Sequence, residues 1–388
     1  MKLVKGFGFL AAVLLIGLAT GCGGKKGAEQ APAEMSWAET VKLNEAKSVD
    51  ELYSLAKEEG KVVVYSMSSR INKVKETFEA QYPGIEVVVY DMRIAEILEK
   101  FQREHEANIR NADVLFIKDA DGSVKNEFVR MGLLHEYLPQ DLVATAAPAF
   151  QSGPYVPYFE MKQIYYNTEV YDSCPIDSWW DLTRPEYSGK VMLGNPLQTA
   201  TIMGLFLSMV RYSDEMEQAY EQEFGEKLVL EGTENAGYEF VKRLVANDLI
   251  LTTSDGDIIK AVGAPGQTDP PFGIATSSKM RKAKADLHIN VAESLSPRMG
   301  NADPALLYIA DNSEHVNAAK LIIRWIGGEK DGQGPGFEPF HVRGSWPSRS
   351  DVPTIKTQSL ESLSLWPMDL DYNYKNMDDM RNFWISRQ

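Results

Sequence analysis

The sequence contains few of the residues on which metal centres and covalent frameworks are built. Its 388 residues include two cysteines, Cys22 and Cys174, and five histidines. Two cysteines cannot make a disulfide framework or a Cys-rich metal site. The histidines are scattered along the chain and show no zinc-binding spacing such as HExxH. We therefore expect neither a resident metal nor a disulfide-stabilised fold.

Catalytic motifs are also scarce. The chain has no GxGxxG or P-loop sequence for a nucleotide and no GxSxG nucleophile elbow. Residues 54–57, SLAK, match the SxxK motif, but they lie on a predicted helix and the companion motifs are absent. These absences favour a protein that uses no cofactor and is not an enzyme.

Positive charge is in short supply over the chain as a whole. There are 40 Lys and Arg residues against 55 Asp and Glu, which gives a formal net charge of −15. Because nucleic-acid binding needs a basic footprint, this balance excludes nucleic acid as an expected partner. An apolar content of 44% is enough for large cores, and the length is enough for two domains.

The first residues have the pattern of a secretory signal peptide, which we assign to residues 1–21. Two lysines precede an apolar run over residues 7–19, and this run is too short for a comfortable membrane span. The end, LATGC, resembles a bacterial lipobox, in which the cysteine is acylated, although Ala19 stands where leucine is usual. We expect lipidation of Cys22. The alternative is a plain signal peptide followed by a chance cysteine.

Residues 22–47 have the composition of a flexible tether. They include GGKKGAEQAPAEMS, which is polar and rich in small residues. A lipid on Cys22, a tether and a folded body together predict a protein anchored in the lipid bilayer of the cell membrane. It would face the periplasm or the cell exterior.

Strong periodic patterns begin after the tether. Residues 48–59 predict a capped helix that ends at Gly60. Buried-type strands are predicted at residues 62–65, 85–90 and 112–117, and helices with regularly spaced apolar residues alternate with them. Such alternation predicts an α/β protein with a parallel sheet and right-handed crossovers.

A second set of α/β elements follows an extended, aromatic stretch that begins near Pro154. KVMLGNP, PFGIATSSK and LHINVAES have the pattern of strands, and helices are predicted from about Thr201 and over residues 238–245. ALLYIADNSEHVNAAKLIIRWIGG predicts one more strand and helix. Two lobes joined by extended crossings fit this order better than one large sheet.

The order of several stretches resembles that of bacterial extracellular solute-binding proteins of ABC importers. These stretches are EGKVVVYSMSS, YPGIEVVVYD, ADVLFIKDADG, YYNTEVYD, SWWDLTRPEYSGKVMLGNP and EHVNAAKLIIRWIGG. The branch they resemble includes the ferric-ion-binding proteins and relatives for thiamine, polyamines and phosphorylated small molecules. The resemblance implies a two-lobed periplasmic-binding-protein fold of the second type, with a ligand cleft between the lobes and an ABC permease as partner. The expected lobes are residues 48–155 with about 298–345, and residues 156–297 with the C-terminal segment 346–388.

Polar residues after the first strand form one candidate ligand site. Ser66, Ser68, Ser69 and Arg70 lie where a strand ends and a helix begins. In open α/β sheets, ligands bind beyond the carboxyl ends of the strands. The free N–H groups and dipole of a helix N-terminus favour an anion, and Arg70 adds charge-assisted hydrogen bonds. The alternative is that Ser68 or Ser69 only caps the helix.

Three other strand ends supply further candidates for contact with the ligand. They are Lys118 with Asp119, Thr199 with Thr201, and Ser254 with Asp255. For the second and third pairs, a helix N-terminus again offers an anion site. The alternatives are a solvated lysine, an ordinary threonine cap and a plain N-cap role for Asp255, which we favour over ligand contact at that residue.

The resemblance leaves iron and an anion as competing ligands. The ferric-binding relatives use a histidine or similar residue in the first loop, an acid after the third strand, and two adjacent tyrosines in the second lobe. Here Ser69 or Arg70 and then Lys118 stand at the first two places, and Tyr165–Tyr166 lies on a crossing strand. A hard trivalent cation prefers anionic oxygen ligands, and basic side chains repel it.

We therefore expect a small anionic solute of the organophosphate or carboxylate type. A ferric-iron-binding protein of an iron ABC importer is the alternative within the same family. An adhesin or structural surface lipoprotein is the alternative from another class.

Overall fold

A computed structural model describes residues 35–284 and 286–388 of the protein. The predicted signal peptide, the lipidation site Cys22 and the first part of the predicted tether lie outside these residues. The last part of the predicted tether is folded, since residues 37–40 form a helix and Leu43 is buried. In the described part, no helix combines the length and the apolar character needed to cross a membrane.

Helices and strands alternate along most of the described chain. The helices are α1 (Trp37–Thr40), α2 (Val49–Glu59), α3 (Ile71–Gln81), α4 (Ile94–Glu106), α5 (Ala200–Arg211), α6 (Ser213–Phe224), α7 (Ala236–Ala246), α8 (Asp255–Gly263), α9 (Val316–Ile326) and α10 (Leu370–Ile385). The strands are β1 (Lys61–Ser66), β2 (Glu86–Asp91), β3 (Val114–Ile117), β4 (Leu134–Glu136), β5 (Tyr158–Glu160), β6 (Lys162–Asn167), β7 (Val191–Gly194), β8 (Ile250–Thr252), β9 (Phe272–Thr276), β10 (Ile289–Val291), β11 (Gly300–Asn301), β12 (Asp303–Pro304), β13 (Leu306–Ala310), β14 (Trp346–Pro347) and β15 (Leu365–Trp366).

The first sheet has the strand order β2-β1-β3-β13-β4. β1 pairs in parallel with β2 and β3, as the alternation of strands and helices predicts. β13 is antiparallel to both β3 and β4, so the prediction of a parallel sheet is wrong at this strand. The reason is that the chain enters β13 directly from β12, without the crossover helix that a parallel connection needs.

The second sheet has the strand order β10-β6-β9-β7-β8. β7 is parallel to β8 and β9, whereas β6 is antiparallel to β9 and β10. The sheet is again mixed, because β6 enters it directly from β5.

Two stretches of chain connect the sheets, and we call them the crossing strands. One is β5 followed by β6 at residues 158–167, and the other is β12 followed by β13 at residues 303–310. β5 and β12 pair antiparallel, with Glu160 opposite Asp303, and β14 pairs with the other edge of β5. The crossing strands therefore carry charged residues from one sheet towards the other.

Local sequence signals explain where the first elements begin and end. Ser48 caps α2 by a capping box with Glu51, and Gly60, with a φ of 72°, ends that helix, as predicted. Ile71, Val74 and Phe78 of α3 are fully buried, as their helical spacing predicts. This stripe fixes the orientation of α3 and so of the turn that precedes it.

Aromatic residues dominate the core around the second sheet. Trp179 and Trp180 are fully buried, and their indole N–H groups donate to backbone carbonyls of Arg298 and Met216, both at 2.8 Å. In the C-terminal segment, Trp384 of α10 stacks on a phenylalanine of α5 with ring centroids 5.8 Å apart. The hydrogen bonds give Trp179 and Trp180 a structural role, since a buried tryptophan usually finds a partner for its N–H, whereas Nε1 of Trp384 has none among the described residues.

A buried carboxylate ties β1 to the start of α9. Asp113 accepts hydrogen bonds from the Val63 N–H at 2.7 Å, the Ser313 hydroxyl at 2.7 Å and Nδ1 of His315 at 2.9 Å. The hydrogen bond to Asp113 raises the pKa of His315 above its ordinary value. A raised folded-state pKa means that the pair stabilises the fold fully below the unfolded-state pKa. That contribution is lost as the pH rises through the folded-state pKa.

We predict that His315→Gln destabilises the protein more in acid than in base. At about pH 5.5 the imidazolium pairs with Asp113, whereas at about pH 9 the imidazole is neutral and glutamine replaces only its hydrogen bond. Urea unfolding midpoints of both proteins at the two pH values measure the difference. Equal losses at both pH values would contradict the ion pair.

Candidate functional site

A cleft of about 530 Å³ lies at the carboxyl ends of strands from both sheets. Its lining comes from residues at or after the ends of β1, β2 and β3 in the first sheet and of β7, β8 and β9 in the second. Glu160 and Lys162 line it from the crossing strands. Ligands of open α/β sheets bind in this position, and a molecule in this cleft would contact both sheets.

The N-terminal ends of four helices reach the lining of the cleft. The lining includes Arg70 before α3, Ile94 in α4, Ala200 in α5 and Asp255 in α8. The side chains of the residues that precede α3 and α5 make no cap hydrogen bond, so N–H groups of these first turns are left without a side-chain acceptor. Each helix N-terminus stabilises a nearby negative charge by about 0.3–1 kcal/mol.

Basic side chains outnumber acidic ones in the lining. Seven Lys or Arg residues line the cleft against three Asp or Glu residues, although acids exceed bases in the chain as a whole. The bases are Arg70, Arg93, Lys118, Lys162, Lys279, Arg281 and Arg381, and the acids are Asp121, Glu160 and Asp255. A cleft with an excess of one charge concentrates ligands of the opposite charge.

Glu160 joins two of the cations. Its carboxylate accepts hydrogen bonds from Nη2 of Arg70 at 3.0 Å and from Nζ of Lys118 at 2.9 Å. Burial would raise the pKa of Glu160, but the charges of Lys118 and Arg70 outweigh it and hold that pKa well below its usual range. Burial would likewise lower the pKa of Lys118, but the charge of Glu160 outweighs it and raises that pKa. All three groups are therefore ionised at neutral pH.

Arg70 is held on several sides. Its guanidinium lies 5.2 Å from the ring centre of Tyr158 and 5.0 Å from that of Phe340, and its Nε donates to the Ser68 hydroxyl at 3.1 Å. Cation–π contacts of this kind fix the plane of the guanidinium. Nη1 of Arg70 is buried and has no hydrogen-bond partner among the described residues. One strong donor beside the cleft is thus unsatisfied.

Asp255 links the crossing strand β6 to α8. Its carboxylate lies 3.1 Å from Nζ of Lys162 and accepts from the Thr276 N–H at 2.9 Å. Burial would raise the pKa of Asp255, but the charge of Lys162 and the hydrogen bonds of Thr276 lower it to about 2. The N-cap of α8 is Ser254, whose hydroxyl accepts from the Asp257 N–H. The expectation that Asp255 is a plain N-cap is therefore wrong.

Two cations of the cleft have no carboxylate partner. Among the described residues, Lys279 and Arg281 form no ion pair, and Nη1 of Arg281 donates to the carbonyl and hydroxyl oxygens of Ser278 at 2.7 and 3.2 Å. Burial lowers the pKa of Lys279 and outweighs the nearby charge of Asp255, which raises it, while the charges of Arg281 and Lys282 lower it further. Burial and the charge of Arg70 also lower the pKa of Arg281. An anion bound beside these two side chains would offset both effects.

The cleft brings together eight of the ten residues that the sequence predicts for the ligand site. They are Ser68, Ser69, Arg70, Lys118, Thr199, Thr201, Ser254 and Asp255. Ser66 lies outside the lining, because it is fully buried and its hydroxyl donates to a backbone carbonyl at 3.0 Å. Asp119 also lies outside it. Its carboxylate accepts from two backbone N–H groups of the π-helical turn Val124–Val129, and burial raises its pKa to about 6. Contact with a ligand stays a prediction for the other eight.

Seven charged residues of the lining were not predicted from the sequence, among them Glu160, Lys162, Lys279 and Arg281. Glu160 and Lys162 are charges within an otherwise aromatic and apolar strand, a pattern that indicates a special role for buried charge. Lys279 and Arg281 follow β9 directly. The rule that selected the other strand ends would have selected this one too.

The adjacent tyrosines lie away from the cleft. The Tyr165 hydroxyl donates to backbone carbonyls of Thr276 and Ser277 at 2.9 and 2.8 Å, and Oη of Tyr166 accepts from Asn290 at 3.2 Å. Burial raises the pKa of Tyr165 well above its ordinary value, which opposes a tyrosinate ligand. Over residues 35–284 and 286–388, no three His, Cys, Asp or Glu side chains are arranged to hold a metal ion.

We predict that Lys279→Met leaves the stability of the ligand-free protein unchanged or raises it. The substitution removes a partly buried cation that has no carboxylate partner. Lys118→Met is the matched control, since it removes a buried lysine that pairs with Glu160 and should cost up to about 3 kcal/mol. Urea unfolding of dialysed protein measures both. A loss for Lys279→Met as large as that for Lys118→Met would contradict the distinction between the two lysines.

Sequence comparison adds no relative, because no family model and no curated protein matches the chain. Solved structures do match it. The apo ferric ion-binding protein A of Pasteurella haemolytica gives a TM-score of 0.63 at 19% identity, over 84% of this chain and 98% of its own. Iron-bound HitA of Pseudomonas aeruginosa gives 0.62 at 14% identity, over 84% and 99%.

A third similar structure is that of the periplasmic binding protein AfuA of Actinobacillus pleuropneumoniae, with exogenous fructose-6-phosphate bound. It gives a TM-score of 0.62 at 16% identity, over 84% of this chain and 98% of its own. At identities this low the agreement is one of fold. The chain therefore has the two-lobed α/β fold of the type 2 periplasmic binding proteins.

Proposed function

We propose that this protein is the substrate-binding component of an ABC importer and that it captures a small organic anion of the organophosphate or carboxylate type. The observation that carries the proposal is the pair of cleft cations, Lys279 and Arg281, that form no salt bridge among the described residues. The excess of basic side chains and the four helix N-termini support it, because both favour negative charge at the same place.

The connection between the sheets supports capture by closure. A ligand in the cleft touches groups from both sheets, such as Lys118 beyond β3 and Arg281 beyond β9. The crossing strands are the link about which the two sheets would move, as in hinge closure around a ligand. A ligand that contacts both sides stabilises the closed form, and an ABC permease would recognise that form. In the same proposal, acylated Cys22 anchors the protein to the cell membrane, facing the periplasm or the cell exterior.

Ferric iron is the less favoured ligand. Two of the similar structures are ferric-ion or iron-bound proteins, and AfuA has fructose-6-phosphate bound. Iron would need anionic oxygen ligands, whereas the acids Glu160 and Asp255 are each already paired with basic side chains in this cleft. The balance of charges therefore supports an anion.

Binding is also better supported than catalysis. In the described lining there is no histidine to activate a nucleophile, and the Ser254 hydroxyl hydrogen-bonds with Asp257 at 2.8 Å. The cations of the cleft can hold and neutralise an anion without transferring a proton to it.

The proposal predicts that an organic anion is recovered with the protein. Mass spectrometry of the extract from purified protein, with a metal assay on the same sample, identifies the ligand. Arg281→Gln should lower the affinity for that anion at least about tenfold in calorimetric titration, because a charge-assisted hydrogen bond contributes about 1.5–3 kcal/mol.

Lys227→Met serves as the control for net charge. It removes one positive charge from an exposed residue that does not line the cleft, so the affinity should stay unchanged. Stoichiometric iron in the sample with a tyrosinate absorption band would overturn the anion in favour of the ferric alternative. Absence of any anion-dependent rise in melting temperature would favour the adhesin or structural lipoprotein instead.

A further inference from the structure

We propose that the captured anion carries an apolar body, alkyl or aryl, and is neither an inorganic anion nor a polyol phosphate. This inference rests on the proposed function, since it concerns the part of the same ligand that lies beyond the anionic group. The observation behind it is a cluster of apolar side chains that lines the cleft after strands β1, β2 and β7, whereas the unpaired cations follow β9.

The first sheet contributes one half of this apolar cluster. Met67 follows β1, and Ile94 and Leu98 lie one turn apart on the same face of α4, which follows β2. All three line the cleft and are only partly buried. Methionine adapts its shape to an irregular apolar neighbour, which suits a binding wall.

The second sheet contributes the other half. The residues that line the cleft after β7 include Pro196, Leu197 and Met203, and Leu197 is 44% exposed. An exposed leucine is unremarkable when it stands alone, but here it lies in a cleft with three other partly exposed apolar side chains, those of Met67, Ile94 and Leu98. Removal of this surface from water by a ligand would be favourable.

The apolar cluster and the two cations without a salt bridge follow different strands. The first sheet has the order β2-β1-β3. Ile94 and Leu98 follow β2, the next lining loop follows β1, and Lys118 follows β3. The second sheet has the order β6-β9-β7. Lys162 lies on β6, Lys279 and Arg281 follow β9, and the loop that holds Leu197 follows β7. The apolar side chains therefore lie near β1, β2 and β7, beside the ion-paired Arg70 and Arg93, whereas the two cations without a salt bridge follow β9.

The lining has little that would recognise a sugar ring. Among its described residues the one aromatic ring is that of Tyr158, which is fully buried and faces the Arg70 guanidinium. The one carboxamide is that of Gln198. Several lining hydroxyls, those of Ser68, Ser254, Thr276 and Ser278, already hydrogen-bond within the protein. A sugar ring would therefore have no free aromatic face to stack on in the described lining.

The size of the cleft suits such a ligand. A volume of about 530 Å³ lies in the usual range for small-molecule sites, whose lining is mostly apolar with a few placed polar groups. A phosphate or carboxylate bound by Lys279 and Arg281 alone would leave the partly exposed apolar side chains of the lining in contact with water.

Two matched pairs of probes test the inference by calorimetric titration of the full chain. Phenyl phosphate is compared with glucose 6-phosphate, and phenylacetate with gluconate, so that each pair shares its anionic group. We expect the aryl member to bind at least about tenfold tighter in one or both pairs, because burial of an aromatic ring contributes more than burial of a hydroxylated ring or chain.

Leu197→Asn and Leu230→Asn then locate the apolar contact. Both leucines are similarly exposed, at 44% and 42%, but Leu230 does not line the cleft. Leu197→Asn should weaken the aryl probe about three- to tenfold and leave the polyol probe unchanged, whereas Leu230→Asn should change neither.

The outcomes separate this inference from the proposed function. Equal or tighter binding of the polyol member in both pairs would overturn the apolar body while leaving anion capture intact. Loss of affinity for both members in Leu197→Asn would also overturn it, since the residue would then not act on the apolar part. If no probe of either pair binds the wild-type protein, anion capture itself fails.

Discussion

The carboxylate of Glu160 is shared between Arg70 and Lys118, and the arrangement of charge in the cleft depends on that sharing. Glu160 belongs to a crossing strand, whereas its two partners follow strands of the first sheet. A buried ion pair adds little net stability, because desolvation of both charges opposes their attraction. Its effect here is positional, since it fixes two cations at the place where the crossing strand meets the first sheet. The pairing of Asp255 with Lys162 has the same effect at the second sheet.

Two lysines in the cleft show what pairing changes. Lys118 forms a salt bridge with Glu160, so its pKa is raised despite burial, whereas Lys279 forms no salt bridge among the described residues and the nearby charge of Asp255 does not outweigh burial, so its pKa is lowered. The acids of the cleft already form ion pairs with other cations, whereas Lys279 and Arg281 form none. A bound anion would supply the charge that they lack. Because these two side chains follow β9 and the paired cations Arg70 and Lys118 belong to the first sheet, one anion between them would draw the sheets together.

The sequence predicts those parts of the protein that depend on neighbouring residues. The capping box of α2, the buried stripe of α3 and the parallel pairing of β1 with β2 and β3 follow from spacing alone. The rule for strand ends also selected eight residues that share the cleft. The rule cannot predict that Asp119 accepts a hydrogen bond from the backbone of the turn that follows it. Nor can it predict that Asp255 pairs with Lys162, which is 93 residues away in the chain. The antiparallel entry of β13 likewise depends on contacts between distant segments. For Glu160 the local pattern indicates a buried charge but not its partners, Arg70 and Lys118.

The ionisation of Lys279 tests the central claim most directly. With ¹³C-labelled lysine and Lys279→Met to assign the signal, a pH titration by NMR gives the pKa of this side chain without and with phenyl phosphate at saturation. The account predicts a pKa below the ordinary value of about 10.4 in the free protein, and a rise when the anion binds. A pKa at or above the ordinary value in the free protein, or no change with bound anion, would contradict the claim that Lys279 pairs with an anionic ligand.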